Sequence, residues 1–154
     1  MNDLLTVDQF AQMLDMHPRT IRRYIRENRL KAAKVGGEWR IRKEDAEMFM
    51  GSNAEAFKTN AMEDVQAFMD GYEGAAQGKL QVCTVLDCYV DNAEAMKISQ
   101  AVMQLMNQPD PARGAAKFQY FFDDQERKGR YIIWGTPAFV GKVLSEVSEA
   151  AATN

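Results

Sequence analysis

Between Pro18 and Glu27 the chain places four arginines on one side of a helix and three apolar residues on the other. With Arg19 at the origin and about 100° per residue, Arg22, Arg23 and Arg26 join it in a stripe about 100° wide. Ile21, Tyr24 and Ile25 lie on the opposite side. Pro18 suits the first position of a helix, because its fixed φ fits there and its missing N–H costs nothing. Asn28 stands where a left-handed residue ends one. The apolar side must pack on another element. The other side crowds like charges that repel at i,i+4, which a polyanion would relieve. DNA is such a partner, since arginine bonds phosphate or pairs with guanine O6/N7 in the major groove. Charge runs are more often solvated surface, so the neighbouring segments must decide between the two readings.

Upstream, Thr6 and Gln9 form a capping box, and Val7, Phe10, Ala11 and Leu14 follow at helical spacing. Asp15, Met16 and His17 break the two helices apart. Downstream, Lys31–Val35 and Glu38–Arg42 read as short strands joined by Gly36-Gly37, a pair suited to a tight hairpin. Trp39 and Ile41 alternate with Arg40 and Arg42, which predicts an apolar and a basic face. Lys34 and Arg40, with Lys31 and Arg42, are candidates to reach phosphates or the minor groove. Glu44–Met50 reads as a closing helix. Residues 17–43 hold ten Lys+Arg against two Asp+Glu, a local +8 within a chain of net charge −3. A basic segment on an otherwise acidic protein is an electrostatic footprint for nucleic acid.

The run Leu4–Leu14, then Pro18–Ile25, Leu30 and Lys34–Arg42, resembles the excisionase-type, MerR-like winged helix-turn-helix family over residues 4–50. The resemblance implies a recognition helix at Pro18–Glu27 and a wing at Lys34–Arg40. The expected DNA-binding set is Arg19, Thr20, Arg22, Arg23, Arg26, Lys34 and Arg40. Asn28 stands where the family usually has Gly, Lys31 where it often has Pro, and His17 where it has a small capping residue.

The remainder predicts a linker and a second unit. Residues 54–70 look helical, with Phe57, Ala61, Val65, Phe68 and Tyr72 about four apart, and Gly71, Gly74 and Gly78 read as a hinge. Leu80–Val90 reads as a strand, Asn92–Gln108 as a helix, Phe118–Asp123 and Tyr131–Trp134 as strands across a turn at Glu126–Gly129. Thr136 and Pro137 open a last helix lined by Phe139, Val143 and Val147. The expectation is an α+β fold: a winged helix-turn-helix at 1–50, a linker helix and hinge at 51–78, and a ferredoxin-like-type β-α-β-β-α domain, one strand short, at 79–154. Phe118, Tyr120 and Phe122 share one face of a strand and Phe121 the other. A three-stranded sheet with helices on one side leaves its second face to be covered, by a homodimer partner or by a small-molecule effector.

Other features point to no chemistry. His17 is the single histidine, which gives acid–base or triad catalysis little material and reads as a cap rather than a metal ligand. Cys83 and Cys88 are five apart on a strand and point to opposite faces, so they suit neither a shared ion nor a disulfide framework. Asp123, Asp124 and Glu126 read as a turn. Ten methionines read as core filler. No apolar run nears the roughly 18 residues of a membrane span, and Met1-Asn2-Asp3 does not open a secretory signal, so a cytoplasmic protein is expected. The sequence thus predicts a transcriptional regulator that binds double-stranded DNA as a homodimer, without cofactor, metal or catalytic group. Three alternatives stay open: an excisionase-like recombination accessory factor, a ligand-binding module, and a protein-interaction module.

Overall fold

A computed structural model describes residues 4–71 and 79–152. The readings of Met1–Asp3, and of Tyr72, Gly74 and Gly78 in the hinge, lie outside the described residues.

The chain begins with β1 (Leu4–Thr6), α1 (Val7–Leu14) and α2 (Pro18–Arg26), then β2 (Ala33–Val35), β3 (Glu38–Arg42), α3 (Lys43–Ser52) and α4 (Ala54–Met69). β1 is an addition to the elements expected. It pairs antiparallel with β3, Leu5 opposite Ile41, and makes a three-stranded sheet in the order β1-β3-β2. Leu5 and Ile41 are both fully buried, so this pairing ties the first residues to the hairpin core. The capping box forms as the sequence requires: the Gln9 N–H donates to Thr6 Oγ1 at 3.0 Å and the Thr6 N–H to Gln9 Oε1 at 2.9 Å. The hairpin turns on Gly36 and Gly37, at φ 61° and 85°, a backbone state that glycine adopts without strain.

The second half comprises β4 (Val82–Cys88), α5 (Asn92–Asn107), β5 (Lys117–Asp123), β6 (Lys128–Gly135) and α6 (Pro137–Ala152). The sheet order is β4-β6-β5, antiparallel throughout. The expected turn at Glu126–Gly129 is shifted: Lys128 and Gly129 belong to β6, and Arg127 turns the chain at φ 55°. The Asp123 carboxylate accepts the N–H groups of Gln125 and Glu126 at 3.0 Å, which fixes the turn locally.

The register assigns the faces. Phe118, Tyr120 and Phe122 share a side with Tyr131, Ile133 and Gly129. This side meets α5, where the Tyr131 O–H donates to the Ala95 carbonyl at 2.7 Å. Gly129 is the close approach: a Cβ there would stand 2.8 Å from Ala95 Cβ. The other side carries Phe121, Ile132 and Trp134. Here α4 supplies the cover that the sequence left to a dimer partner or an effector. Ala61 and Val65 line a cleft with Phe121 and Ile132, and Phe68 lines one with Trp134. The apolar stripe of α4 is therefore occupied within the chain, with Phe57 also packed on Phe49 of α3 at 6.1 Å between ring centres. α1, α3 and α4 all pack on β5, and the buried residues of both halves form one continuous core.

Candidate nucleic-acid interface

α1 ends on Asp15, whose left-handed φ of 55° reverses the chain. The Met16 N–H donates to the Ala11 carbonyl at 2.8 Å, closing the helix end. His17 then caps α2: its Nδ1 accepts the Arg19 N–H at 3.0 Å. The cap expected of His17 is thus made by an imidazole in place of a hydroxyl or carboxylate. Pro18 stands just inside, as expected of the first helical turn. At the far end Asn28 takes φ 60°, a state that asparagine tolerates, and the chain turns toward the hairpin.

α2 is anchored by Ile21 and Ile25, both buried, with Tyr24 half-buried against Phe49 at 5.3 Å between ring centres. Each isoleucine stabilises the packing by roughly 2 kcal/mol. This burial turns Arg19, Arg22, Arg23 and Arg26 to the outside, and all four are exposed. They are not equivalent. Arg23 lies 3.9 Å from Glu27 and 5.5 Å from the centre of the Tyr24 ring. Arg19, Arg22 and Arg26 have no ion pair or ring contact among the described residues. Thr20 is half-buried, its N–H donating to the His17 carbonyl at 2.9 Å. Arg29, which lies beyond the periodic arginine stripe, stacks on Tyr24 at 4.5 Å and pairs with Glu27 at 3.7 Å. It extends the basic surface past the end of α2.

On the hairpin, Lys34 stands opposite Trp39 with its Nζ 5.2 Å from the ring centre. Arg40 is half-buried. It pairs with Glu38 at 3.6 Å and donates to the Trp39 carbonyl at 3.0 Å. Arg42 caps the approach to α3, 3.0 Å from Asp45 and 3.8 Å from Glu44. The hydrogen bond that Arg42 Nε donates to the Asp45 carboxylate, and then the charge of that carboxylate, push the Arg42 pKa up. The basic face expected of this hairpin is thus partly neutralised: Lys31 and Lys34 remain exposed, while Arg40 and Arg42 hold local carboxylates.

The two elements converge. Arg22 of α2 shares a cleft of about 360 Å³ with Lys34 and Arg40 of the hairpin and with Thr6, Val7 and Asp8 at the start of α1. Three cations from α2 and the hairpin therefore meet around one concave surface, with Asp8 and Glu38 at its border. In the sequence the start of α1 shows only a capping box; the pairing of Thr6 with Arg40 in β3 brings it to this cleft.

The order of α1, left-handed turn, α2 and hairpin now has a counterpart among known families. Residues 4–53 match the family model of a helix-turn-helix domain. The match has the excisionase-like character that the sequence suggested. It covers a third of the chain, from β1 to the end of α3. No curated protein and no solved structure matches the chain. In the helix-turn-helix frame α2 is the second helix, the element that carries base contacts in this class of module. The Asp15–His17 segment is the turn.

Among the described residues the C-terminal half adds no site of comparable composition. Cys83 and Cys88 are unpaired and half-buried, opposite Trp134 and Gly129 in β6, and burial pushes both thiols up. Among the described residues no group of His, Cys, Asp or Glu is arranged to hold a metal ion, and no helix is long and apolar enough to cross a membrane. Among the described residues Asp87 is the one strongly shifted carboxylate. Hydrogen bonds from Arg130 at 2.7 and 2.9 Å, and from Lys128 at 3.0 Å, outweigh its partial burial and lower its pKa to about 2.

Proposed function

We propose that the protein is a sequence-specific DNA-binding transcriptional regulator that acts as a homodimer and carries no catalytic function. α2 enters the major groove, with Arg19, Thr20, Arg22, Arg23 and Arg26 facing bases and phosphates. The β2–β3 hairpin is the wing, and Lys34 and Arg40 rest on the flanking backbone. The observation that carries this reading is the shared cleft of Arg22, Lys34 and Arg40, because it lets one phosphate run pass between helix and hairpin. Arg23 and Arg40, already beside carboxylates, serve as positioning groups more than as base readers. The strand order of the C-terminal sheet supports a ferredoxin-like-type unit without its fourth strand, whose role is to join two copies. A single helix-turn-helix module makes a small footprint, and pairing two half-sites supplies useful affinity.

The test is selection of bound sequences from random double-stranded DNA. Two inverted half-sites are expected, with affinity falling roughly 10³–10⁵-fold between about 50 and 200 mM salt. Recovery of no enriched sequence would overturn the reading. The excisionase-like character of the match to residues 4–53 favours one alternative, an accessory factor that bends DNA. A strong bend on the selected site, with no effect on transcription, would favour that role.

A further inference from the structure

The two outer strands of the C-terminal sheet differ. β5 is closed off by α1, α3 and α4. β4 pairs with β6 alone among the described strands. Successive residues of a strand aim their N–H and C=O groups to alternate sides, so about half of the seven residues in β4 present both groups to the open edge. Natural edges are guarded by lysine, proline, bulges or covering elements. The sequence Val82–Cys88 holds no lysine or proline, and its register with β6 runs unbroken from Val82 to Cys88. Its single charge, Asp87, is drawn to Arg130 and Lys128 of β6. Large apolar side chains are exposed before, within and after it: Leu80 at 65%, Val85 at 49% and Tyr89 at 71%.

We propose that β4 is the homodimer seam: it pairs antiparallel with β4 of a second copy about a two-fold axis through Val85, giving one continuous six-stranded sheet. This rests on the reading of the protein as a dimer and names the element that makes it. The strand is complementary to itself in this register. Thr84 stands opposite Leu86 of the partner subunit, and Cys83 opposite Asp87 of the partner subunit. The two Asp87 carboxylates are then four positions apart, about 13 Å along the strands, so no like charges face each other. Continued beyond β4, the same register brings exposed Tyr89 opposite Gln81 of the partner subunit. A slip of one residue would turn the partner subunit's side chains, and with them its α5 and α6, to the opposite face of the sheet, whereas pairing about Val85 keeps α5 and α6 of both copies on one side. An unrelated strand has no reason to meet these conditions, which selects a second copy as the occupant. The two helix-turn-helix units, packed at the β5 edges, are then held at opposite ends of the sheet as a symmetric pair.

The test is sedimentation equilibrium of the full chain with Val85→Lys and Val85→Glu, which put like charges face to face on the axis. Each variant is expected to be a folded monomer where the native chain is a dimer, with unchanged helicity. An equimolar mixture is expected to return to a dimer, because opposite charges then meet. Amide hydrogen exchange of the native chain gives an independent readout: the outward amides of Val82–Cys88 are expected to lose protection on dilution. A native chain that is monomeric up to about 1 mM, the weak limit of specific association, would overturn both the seam and the dimer reading. Variants that stay dimeric, or protection independent of concentration, would overturn the seam and leave the dimer standing.

Discussion

Gln12 and Asn107 exchange a reciprocal pair of side-chain hydrogen bonds: Gln12 Nε2 donates to Asn107 Oδ1 at 3.0 Å, and Asn107 Nδ2 to Gln12 Oε1 at 3.1 Å. The pair joins α1 of the helix-turn-helix to α5 of the C-terminal unit. Beside it, Asp15 in the turn lies 3.6 Å from Lys117 on β5, which itself stands 4.5 Å from the centre of the Trp134 ring. Beneath both contacts runs a shared core. The helix-turn-helix half is thus mounted on the sheet.

This mounting predicts one cooperative unfolding transition. The chain has two tryptophans, Trp39 on the hairpin and Trp134 on β6, so Trp39→Phe and Trp134→Phe each leave one reporter per half. Equal denaturant midpoints are expected from the two fluorescence signals. Phe49→Ala, which removes a ring packed on Phe10, Tyr24 and Phe57, is expected to lower both midpoints together, by roughly 3–5 kcal/mol of stability. Separate transitions would mean that the halves fold independently.

Acid should act through Asp87. Its folded pKa of about 2 lies below the ordinary value of 3.8, so the charged form stabilises the fold above the ordinary value. That stability is lost as pH falls from about 4 through about 2. The expected loss is about 1 kcal/mol after allowance for solvent screening. Thermal unfolding against pH is expected to show the drop in the native chain and a smaller one in Asp87→Asn, which should also be less stable at neutral pH because Lys128 and Arg130 lose their partner.

His17 caps α2 through a nitrogen lone pair, a role that other acceptors can fill. His17→Ala is expected to destabilise the start of α2 by about 1 kcal/mol, and His17→Ser to recover most of it. Thermal unfolding checks the stability. DNA affinity that falls with Ala and returns with Ser would place the cap upstream of recognition. Equal affinity for all three would confine His17 to stability.

The helix-turn-helix was legible because its signals are local. The Thr6–Gln9 box, Pro18, Asn28 and the Gly36-Gly37 turn each act within a few residues, and the structure places each where those local rules require. β1 was not legible: Leu4-Leu5-Thr6 is three residues long and overlaps a helix cap, and only its pairing with β3, over thirty positions away, makes it a strand. The cover on the C-terminal sheet was hidden for the same reason, since the stripe of Phe57, Ala61, Val65 and Phe68 announces an apolar face without naming what it meets. The arginine face was legible as a direction but not as a set of free charges. Glu27, Glu38 and Asp45 decide which guanidinium groups are already engaged, and that depends on side-chain placement rather than periodicity.

Whether the outward side of α2 meets DNA is decided by the affinity of Arg22→Ala/Arg23→Ala for the selected operator. Both side chains are exposed and outside the core, so an unchanged melting temperature is expected. Binding is expected to fall below detection at physiological salt, where the native chain binds with a Kd of about 10⁻⁸ M or tighter. Native affinity in a folded double variant would contradict the assignment of α2 as the recognition helix.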